Sequence, residues 1–307
     1  MGGELRWLVT GGCGRLGSHV LDELHRRGDE CLGVSRHPCV GDHGPTAVCD
    51  LDGPRAVGAL LDAYQPTHII HLAGITSPSL AARCPARAWR LNVDVTRRLA
   101  DHARGTGAHL LVASSDFVWS GDGSAPHAED DPPDGDGVYA KTKIAAEQEV
   151  LRRGVGAVAR YSGMYGLPRC PRTTLFETQL EQLRAHEPVP VVVDEYRTPL
   201  SLADAAHATV RLSEERFDGI VHVAGPEVLT PAEQVRRYAR ALHIADPLLQ
   251  PVARAALDPL VRRPRNMAMA ATVLARSFTD VLPKPISERQ MLEDVRAGEP
   301  TESPALV

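Results

Sequence analysis

Tyr139 and Lys143 are the side chains of this sequence best placed to do chemistry. They stand four apart in Tyr139-Ala140-Lys141-Thr142-Lys143, which opens a helix after an Asp-, Gly- and Pro-rich loop over 120–137. That spacing puts both on one helix face. An ammonium beside a phenol favours the phenolate and draws the phenol pKa down. Such a tyrosine can hand a proton to a substrate oxygen, or take one, near neutral pH. The chain holds six tyrosines but only three lysines (Lys141, Lys143 and Lys284), so the spacing arises by chance in few sequences of this composition. Ser115 lies 24 residues upstream, at the end of an apolar run, and its hydroxyl can bond the same oxygen.

These groups need a frame that holds them against a ligand. Arg6-Trp7-Leu8-Val9 reads as a short buried strand, followed by the turn Thr10-Gly11-Gly12-Cys13-Gly14-Arg15-Leu16-Gly17. Leu16, Val20, Leu21 and Leu24 then fall on one face of a helix that ends at Gly28. In such a unit Gly11 permits the tight turn, Gly14 lets backbone approach a pyrophosphate, and Gly17 lets helix and strand pack closely. The helix N-terminus offers free N–H groups to phosphate, so Gly11, Cys13, Gly14, Arg15, Leu16 and Gly17 are expected to bind a dinucleotide. Cys31–Val34 is the next strand. It ends in Ser35-Arg36 with no carboxylate before Asp42, and an arginine there suits the 2′-phosphate of NADP(H).

Further along, Ala47–Cys49 leads to Asp50-Leu51 and a helix from Pro54 to Tyr64. His68–Leu72 is a buried strand closed by Ala73-Gly74, small residues that suit backbone lying against a flat ring. One long helix is expected over Pro85–Ala103, carrying Asn92, then strands at His109–Ala113 and Gly156–Tyr161. This alternation makes the fold class α/β, a doubly wound parallel sheet. After residue 166 the rhythm breaks into a smaller lobe. Strands are expected at 191–193 and 219–224, and helices at 201–212, 230–242 and 286–299. Thr230 and Pro231 form the start signal of the 230–242 helix.

With 307 residues, 43% hydrophobic, the chain can bury a substantial core. Its net charge of −5 gives no case for nucleic acid or an anionic membrane as partner. No apolar run is long enough to span a bilayer. The six cysteines (13, 31, 39, 49, 84 and 170) form no CxxC pair and read as free thiols in a reducing cytoplasm. No HxxH or HExxH pattern supports a metal.

Taken together, these segments resemble the extended short-chain dehydrogenase/reductases. The match runs through Thr10–Gly17, Asp50-Leu51, His71–Gly74, Asn92-Val93, Ser114–Val118 and Tyr139–Lys143, up to about residue 225. The resemblance implies a Rossmann-type domain over 1–166, with 195–225 returning to it. A smaller C-terminal α/β substrate lobe follows over 167–194 and 226–299, with a tail at 300–307. It makes Ser115, Tyr139 and Lys143 the catalytic triad, with hydride transfer at nicotinamide C4 and Tyr139 as general acid in ketone reduction. Asp50 and Leu51 would flank the adenine. Leu72, Ala73, Gly74 and Asn92 would belong to the cofactor site, and Lys143 would also hold the nicotinamide ribose.

A narrower resemblance is to the dTDP-4-dehydrorhamnose reductase branch. Ser114–Gly121, Arg160–Gly166, Asp194–Pro199, His222–Gly225 and Arg263–Asn266 carry it. That branch usually has tyrosine where Phe117 stands and tryptophan near Gly163, so a wider, less polar pocket is expected here. Asp116 persists, but Phe117 cannot act as a base, which disfavours dehydration. Thr76, Ser77, Asp116, Phe117, Gly163, Arg197 and Arg263 are the expected substrate residues, the two arginines for a diphosphate. The expected activity is NADPH-dependent reduction of a keto group, as on a nucleotide-linked 4-keto-6-deoxysugar, in a cytoplasmic homodimer. A sugar-nucleotide 4-epimerase is one alternative. A non-catalytic NADP-binding regulatory subunit, of which this branch has examples, is another.

Overall fold

A computed structural model describes residues 5–39, 44–53, 55–121, 123, 126–170 and 174–287. Trp7, Leu8 and Val9 are fully buried, so the first strand, β1 (Arg6–Thr10), takes the centre of a sheet. The strands β2 (Glu30–Ser35), β3 (Thr46–Val48), β4 (His68–His71), β5 (His109–Ser115) and β6 (Gly156–Tyr161) join it. Short β7 (Met164–Tyr165), β8 (Val189–Val192) and β9 (Leu200–Ser201) lie outside, and β10 (Gly219–Val223) returns to the sheet. The order is β10-β6-β5-β4-β1-β2-β3, and every pairing is parallel. The chain therefore reverses direction across the sheet between β1 and β4, where parallel α/β sheets open a crevice at their carboxyl ends.

Helices α1 (Arg15–Arg26) and α8 (Leu202–Glu214) cover one face. The opposite face carries α2 (Ala56–Tyr64), α5 (Val95–Thr106) and α6 (Val138–Leu151), each burying an apolar stripe on the strands. Between α2 and α5 run α3 (Pro78–Arg83) and α4 (Pro85–Trp89). A third core joins Tyr165, Phe176, Leu180, Val189, Val235 and Tyr238. It lies between α7 (Leu175–Arg184), α9 (Pro231–Ala241) and a two-stranded parallel sheet of β8 with β11 (Leu249–Val252). Thr230 caps α9 with Pro231 at its first position, and Glu233 completes a capping box. No helix among the described residues is long and apolar enough to cross a membrane.

Two expectations change, and a third falls mostly outside the described residues. The long helix over Pro85–Ala103 is interrupted by one π-helical stretch, Arg90–Asp94, and α5 runs on to Gly107, whose φ of 76° ends it. A π turn adds a residue to the helical repeat and re-aims the side chain it carries, here Asn92. The helix expected over 286–299 lies outside the described residues, except for Ile286 and Ser287, which are not helical. The cysteines are not all free: Cys13 and Cys39 form a disulfide. Their pairing joins two loops that are distant in sequence, so no local spacing signals it.

Behind the sheet's edge, α6 is tied to β6 by a buried ion pair. Arg160 donates to both oxygens of Glu147, at 3.0 and 2.8 Å, and Ser114 donates to the same carboxylate. Both charged side chains are almost fully buried. Removing one partner leaves an uncompensated buried charge, which typically costs about 3–5 kcal/mol. Arg160→Met should lose about that much unfolding free energy in urea titration, and adding Glu147→Leu should recover most of it. A loss below about 1 kcal/mol for the single change would mean the pair is not desolvated as described.

Candidate active site

The glycine loop is built around one close approach. Gly11 has φ 74°, and its carbonyl accepts from the Gly14 N–H at 2.8 Å. A Cβ on Gly17 would stand 2.1 Å from that carbonyl oxygen, and a Cβ on Gly14 2.8 Å from it. Only hydrogen fits there, so α1 begins directly against the end of β1 and its first N–H groups open into the crevice. Thr10 fixes the neighbouring strand end: its hydroxyl pairs with His71 Nδ1 at 2.7 Å and accepts from the Ala73 N–H at 3.3 Å.

A cleft of about 680 Å³ lies along these strand ends. Gly11, Cys13, Gly14, Arg15, Leu16 and Gly17 line its first wall. Ser35 and Arg36 line the end of β2, and Asp50 and Leu51 the end of the β3 connection. Leu72, Ala73 and Gly74 follow β4, with Thr76 and Ser77 beyond them. Ser115, Asp116, Phe117, Tyr139, Lys143, Gly163 and Arg197 complete the far end. Asn92 and Arg263 are not part of the lining.

Asn92 works from behind. It is buried, accepts from the Ile75 N–H at 2.8 Å, and donates to the Ile75 carbonyl and to the Thr142 hydroxyl. Thr142 sits between Tyr139 and Lys143 on α6. The π turn therefore joins the Ile75 backbone to the helix that carries the phenol, and Asn92 lies behind the cleft wall.

Tyr139 is buried on α6 and lines the cleft with Ser115. The Ser115 hydroxyl donates to Asp116 Oδ1 at 3.1 Å and accepts from the Phe117 N–H. Lys143, also buried, donates to the Ala113 carbonyl of β5 at 2.8 Å. Burial pushes the phenol up to about 12, with the nearby Asp116 charge adding to the rise and Ser115, Arg197 and Arg15 opposing it. Burial pulls the Lys143 ammonium down to about 8, with Glu147 opposing it. This departs from the expectation that the ammonium draws the phenol toward neutrality. Loss of water outweighs the neighbouring charge for both groups, because each is held away from solvent.

The substrate wall also departs from expectation. Arg197 donates to Asp116 and to Glu195, both at 2.7 Å. Arg263 donates to the two oxygens of the same Glu195, at 2.9 and 3.0 Å. The two guanidinium groups lie over Phe117, at 5.1 and 5.8 Å from the ring centre, and Phe117 meets Tyr139 edge-on. Two buried carboxylates thus pair with the two arginines expected to hold a diphosphate. Gly163 does not leave the pocket wide either: a Cβ there would meet Arg197 Cδ at 3.2 Å, so the arginine stem occupies that space. Glu195 is the member of this cluster that sequence reasoning missed. It lies inside the Asp194–Pro199 segment, two residues from Arg197, and the fold then brings Arg263 to it.

With the geometry in place, comparison with known proteins gives a consistent result. The model of the RmlD substrate-binding-domain family matches residues 5–294. Methionine adenosyltransferase 2 subunit beta of Xenopus tropicalis is 32% identical over 260 residues, 80% of this chain and 75% of its own. A dTDP-4-dehydrorhamnose reductase of Streptomyces griseus is 31% identical over 217 residues, covering 70% of this chain and 67% of its own. The crystal structure of dTDP-4-dehydrorhamnose reductase from Bacillus anthracis in complex with NADP superposes with a TM-score of 0.82 at 20% identity. It covers 96% of this chain and 100% of that one, so the fold is shared.

Proposed function

We propose, from the premise that this chain belongs to the RmlD substrate-binding-domain family, that it is an NADPH-dependent reductase of a keto group. The substrate class we propose is a nucleotide-linked 4-keto-6-deoxysugar or a related natural-product intermediate. The observation that carries this reading is the meeting of Ser115, a buried Tyr139 and a buried Lys143 in the cleft that begins at the glycine loop.

The cradle suits a dinucleotide because a Cβ would fill it at Gly11, Gly14 or Gly17. We assign the pyrophosphate to the Gly11–Gly17 loop with Arg15, and the 2′-phosphate to Ser35 and Arg36. Asp50 and Leu51 take the adenine, Leu72 to Gly74 the cofactor's flat face, and Lys143 the nicotinamide ribose. When bound, NADPH supplies a hydride. The chain's own part is to orient and protonate. Ser115 donates to the carbonyl oxygen and fixes its direction. Tyr139 gives its proton to that oxygen as negative charge develops there. Lys143 keeps a positive charge behind the phenol, which stabilises the phenolate left after transfer. Phe117, Met164 and the balanced Arg197–Glu195–Arg263 wall exclude water and present a flat, nearly neutral surface to a sugar ring. Thr76 and Ser77 can meet its hydroxyls. We place the cofactor on the large sheet and the substrate between it and the smaller β8–β11 unit.

A second reading is favoured by the resemblance to methionine adenosyltransferase 2 subunit beta: an NADP-binding subunit that modulates a partner enzyme. The two part on one assay. Net NADPH oxidation with a 4-keto-6-deoxysugar nucleotide supports the reductase. Nucleotide binding with no turnover on any ketone supports the subunit, and interconversion of sugars without net oxidation would indicate an epimerase.

Three outcomes are expected of the reductase. Tyr139→Phe should cut turnover by roughly two to four orders of magnitude, the usual worth of general acid catalysis, and leave NADP+ affinity nearly intact in calorimetry. Arg36→Ala should weaken NADP+ far more than NAD+; equal weakening would overturn the 2′-phosphate assignment. Turnover should hold at neutral pH and fall as pH rises through about 8. The Lys143 ammonium is present below that value and lost above it, while the phenol, near 12, stays protonated throughout. A profile flat to pH 10 would rule out a role for the ammonium.

A further inference from the structure

We propose that Cys13 and Cys39 are a reversible thiol–disulfide modification site that gates the adenosine end of the cleft. This rests on the reading of that end as an NADP(H) site. The two cysteines are joined, with Cα atoms 5.4 Å apart, and both line the cleft. Cys13 sits inside the glycine loop. Cys39 sits three residues past Arg36, in the turn that leaves β2. The bond therefore straps together the two loops between which a 2′-phosphorylated adenosine has to lie.

The surroundings fit a switch rather than a structural staple. The chain between the two cysteines is α1 and β2, and each keeps its own packing: the α1 stripe is buried in the core, and β2 is paired with β1 and β3. Opening the bridge thus frees the turn after β2 without loosening the sheet. The Cys13 N–H donates to the Ser35 hydroxyl at 2.9 Å and the buried Cys170 thiol donates to the Cys13 carbonyl at 2.9 Å, so the glycine loop and the end of β2 stay joined in either state. What reduction releases is the stretch from Arg36 to Cys39, which starts with an exposed side chain at the cleft's rim. With the bridge closed, that stretch is tied to the loop and narrows the space beside Arg36 for a 2′-phosphate.

The chemistry is thiol–disulfide exchange with a low-molecular-weight disulfide. One protein thiolate attacks it, forms a mixed disulfide and releases one small thiol. The second protein thiolate then displaces the other. Two protein thiols and one small disulfide become one protein disulfide and two small thiols, and the two electrons go to the reagent. Excess thiol reverses the exchange. In a reducing compartment a disulfide is usually transient and redox-sensing. Linkage makes the gate reciprocal: bound nucleotide must disfavour bridge formation by the same factor as the bridge disfavours binding.

The test uses the full chain, either reduced with excess dithiothreitol or treated with oxidised glutathione. The Cys13–Cys39 bridge is scored by peptide mass spectrometry, and NADP+ affinity by calorimetry. The reduced form should bind roughly tenfold to a hundredfold more tightly, the worth of one or two charge-assisted phosphate contacts. Cys39→Ser, with Cys39→Ala as a second variant, should show no difference between the two treatments. Saturating NADP+ should suppress bridge formation. Equal affinity of the bridged and reduced forms overturns the gate and leaves the NADP reading standing, as does failure of glutathione to form the bridge. Binding by neither form overturns the NADP reading and the gate with it.

Discussion

One backbone contact sets the geometry of everything else. Gly17 lies so near the Gly11 carbonyl that a methyl would stand 2.1 Å from the oxygen. Close-packed interiors give way only at real cost, so this contact fixes where α1 starts relative to β1. From there the chain has little freedom. β1 pairs with β2 and β4 on either side, and the crevice opens where those two neighbours diverge. The cofactor face, the strand end carrying Arg36 and the strand end carrying Ser115 all take their positions from that sheet.

The far end of the cleft is held by a different kind of force. Asn92, Thr142 and Ile75 form a small buried network that aligns the β4 loop with α6. A network of this kind is favourable only when all its members are satisfied, so it specifies one arrangement of loop against helix. The same holds for Arg197, Glu195, Arg263 and Asp116, where two cations and two carboxylates cancel inside a wall also built from Phe117. Desolvation makes each of these charges expensive alone, which is why they occur together. The result is a cleft wall whose charged groups are turned toward one another.

Much of this was legible in the sequence, and what was not has a physical reason. The glycine spacing, the apolar runs of β1, β4 and β5 and the stripe of α1 are local patterns, and each became the element it implied. So did the cap of α9, because Thr230, Pro231 and Glu233 act within one turn. The Arg197–Asp116 and Arg263–Glu195 pairings were illegible, since residues 81 and 68 apart meet only after the fold has packed. The Cys13–Cys39 bond was hidden for the same reason. The π turn at Arg90–Asp94 was hidden because its apolar pattern is still helical, and one added residue barely disturbs the repeat over so short a span. Tyr139 and Lys143 were found by spacing, but their protonation was misjudged: spacing reports which charges are near and says nothing of how little water reaches them.

That last point bears on the direction of the chemistry. Burial acts on both groups against their charged forms, raising the phenol and lowering the ammonium. A phenol held near 12 carries its proton at any physiological pH. A raised pKa also makes it a weaker acid, so giving that proton to an oxygen gaining negative charge depends on what stabilises the phenolate left behind. Lys143 is the cation on the same helix, with a charge that is still present at neutral pH. A developing alkoxide brings in the negative charge that such an arrangement lacks in its resting state. On the proposed reductase reading, the phenol starts each turnover protonated, as ketone reduction requires.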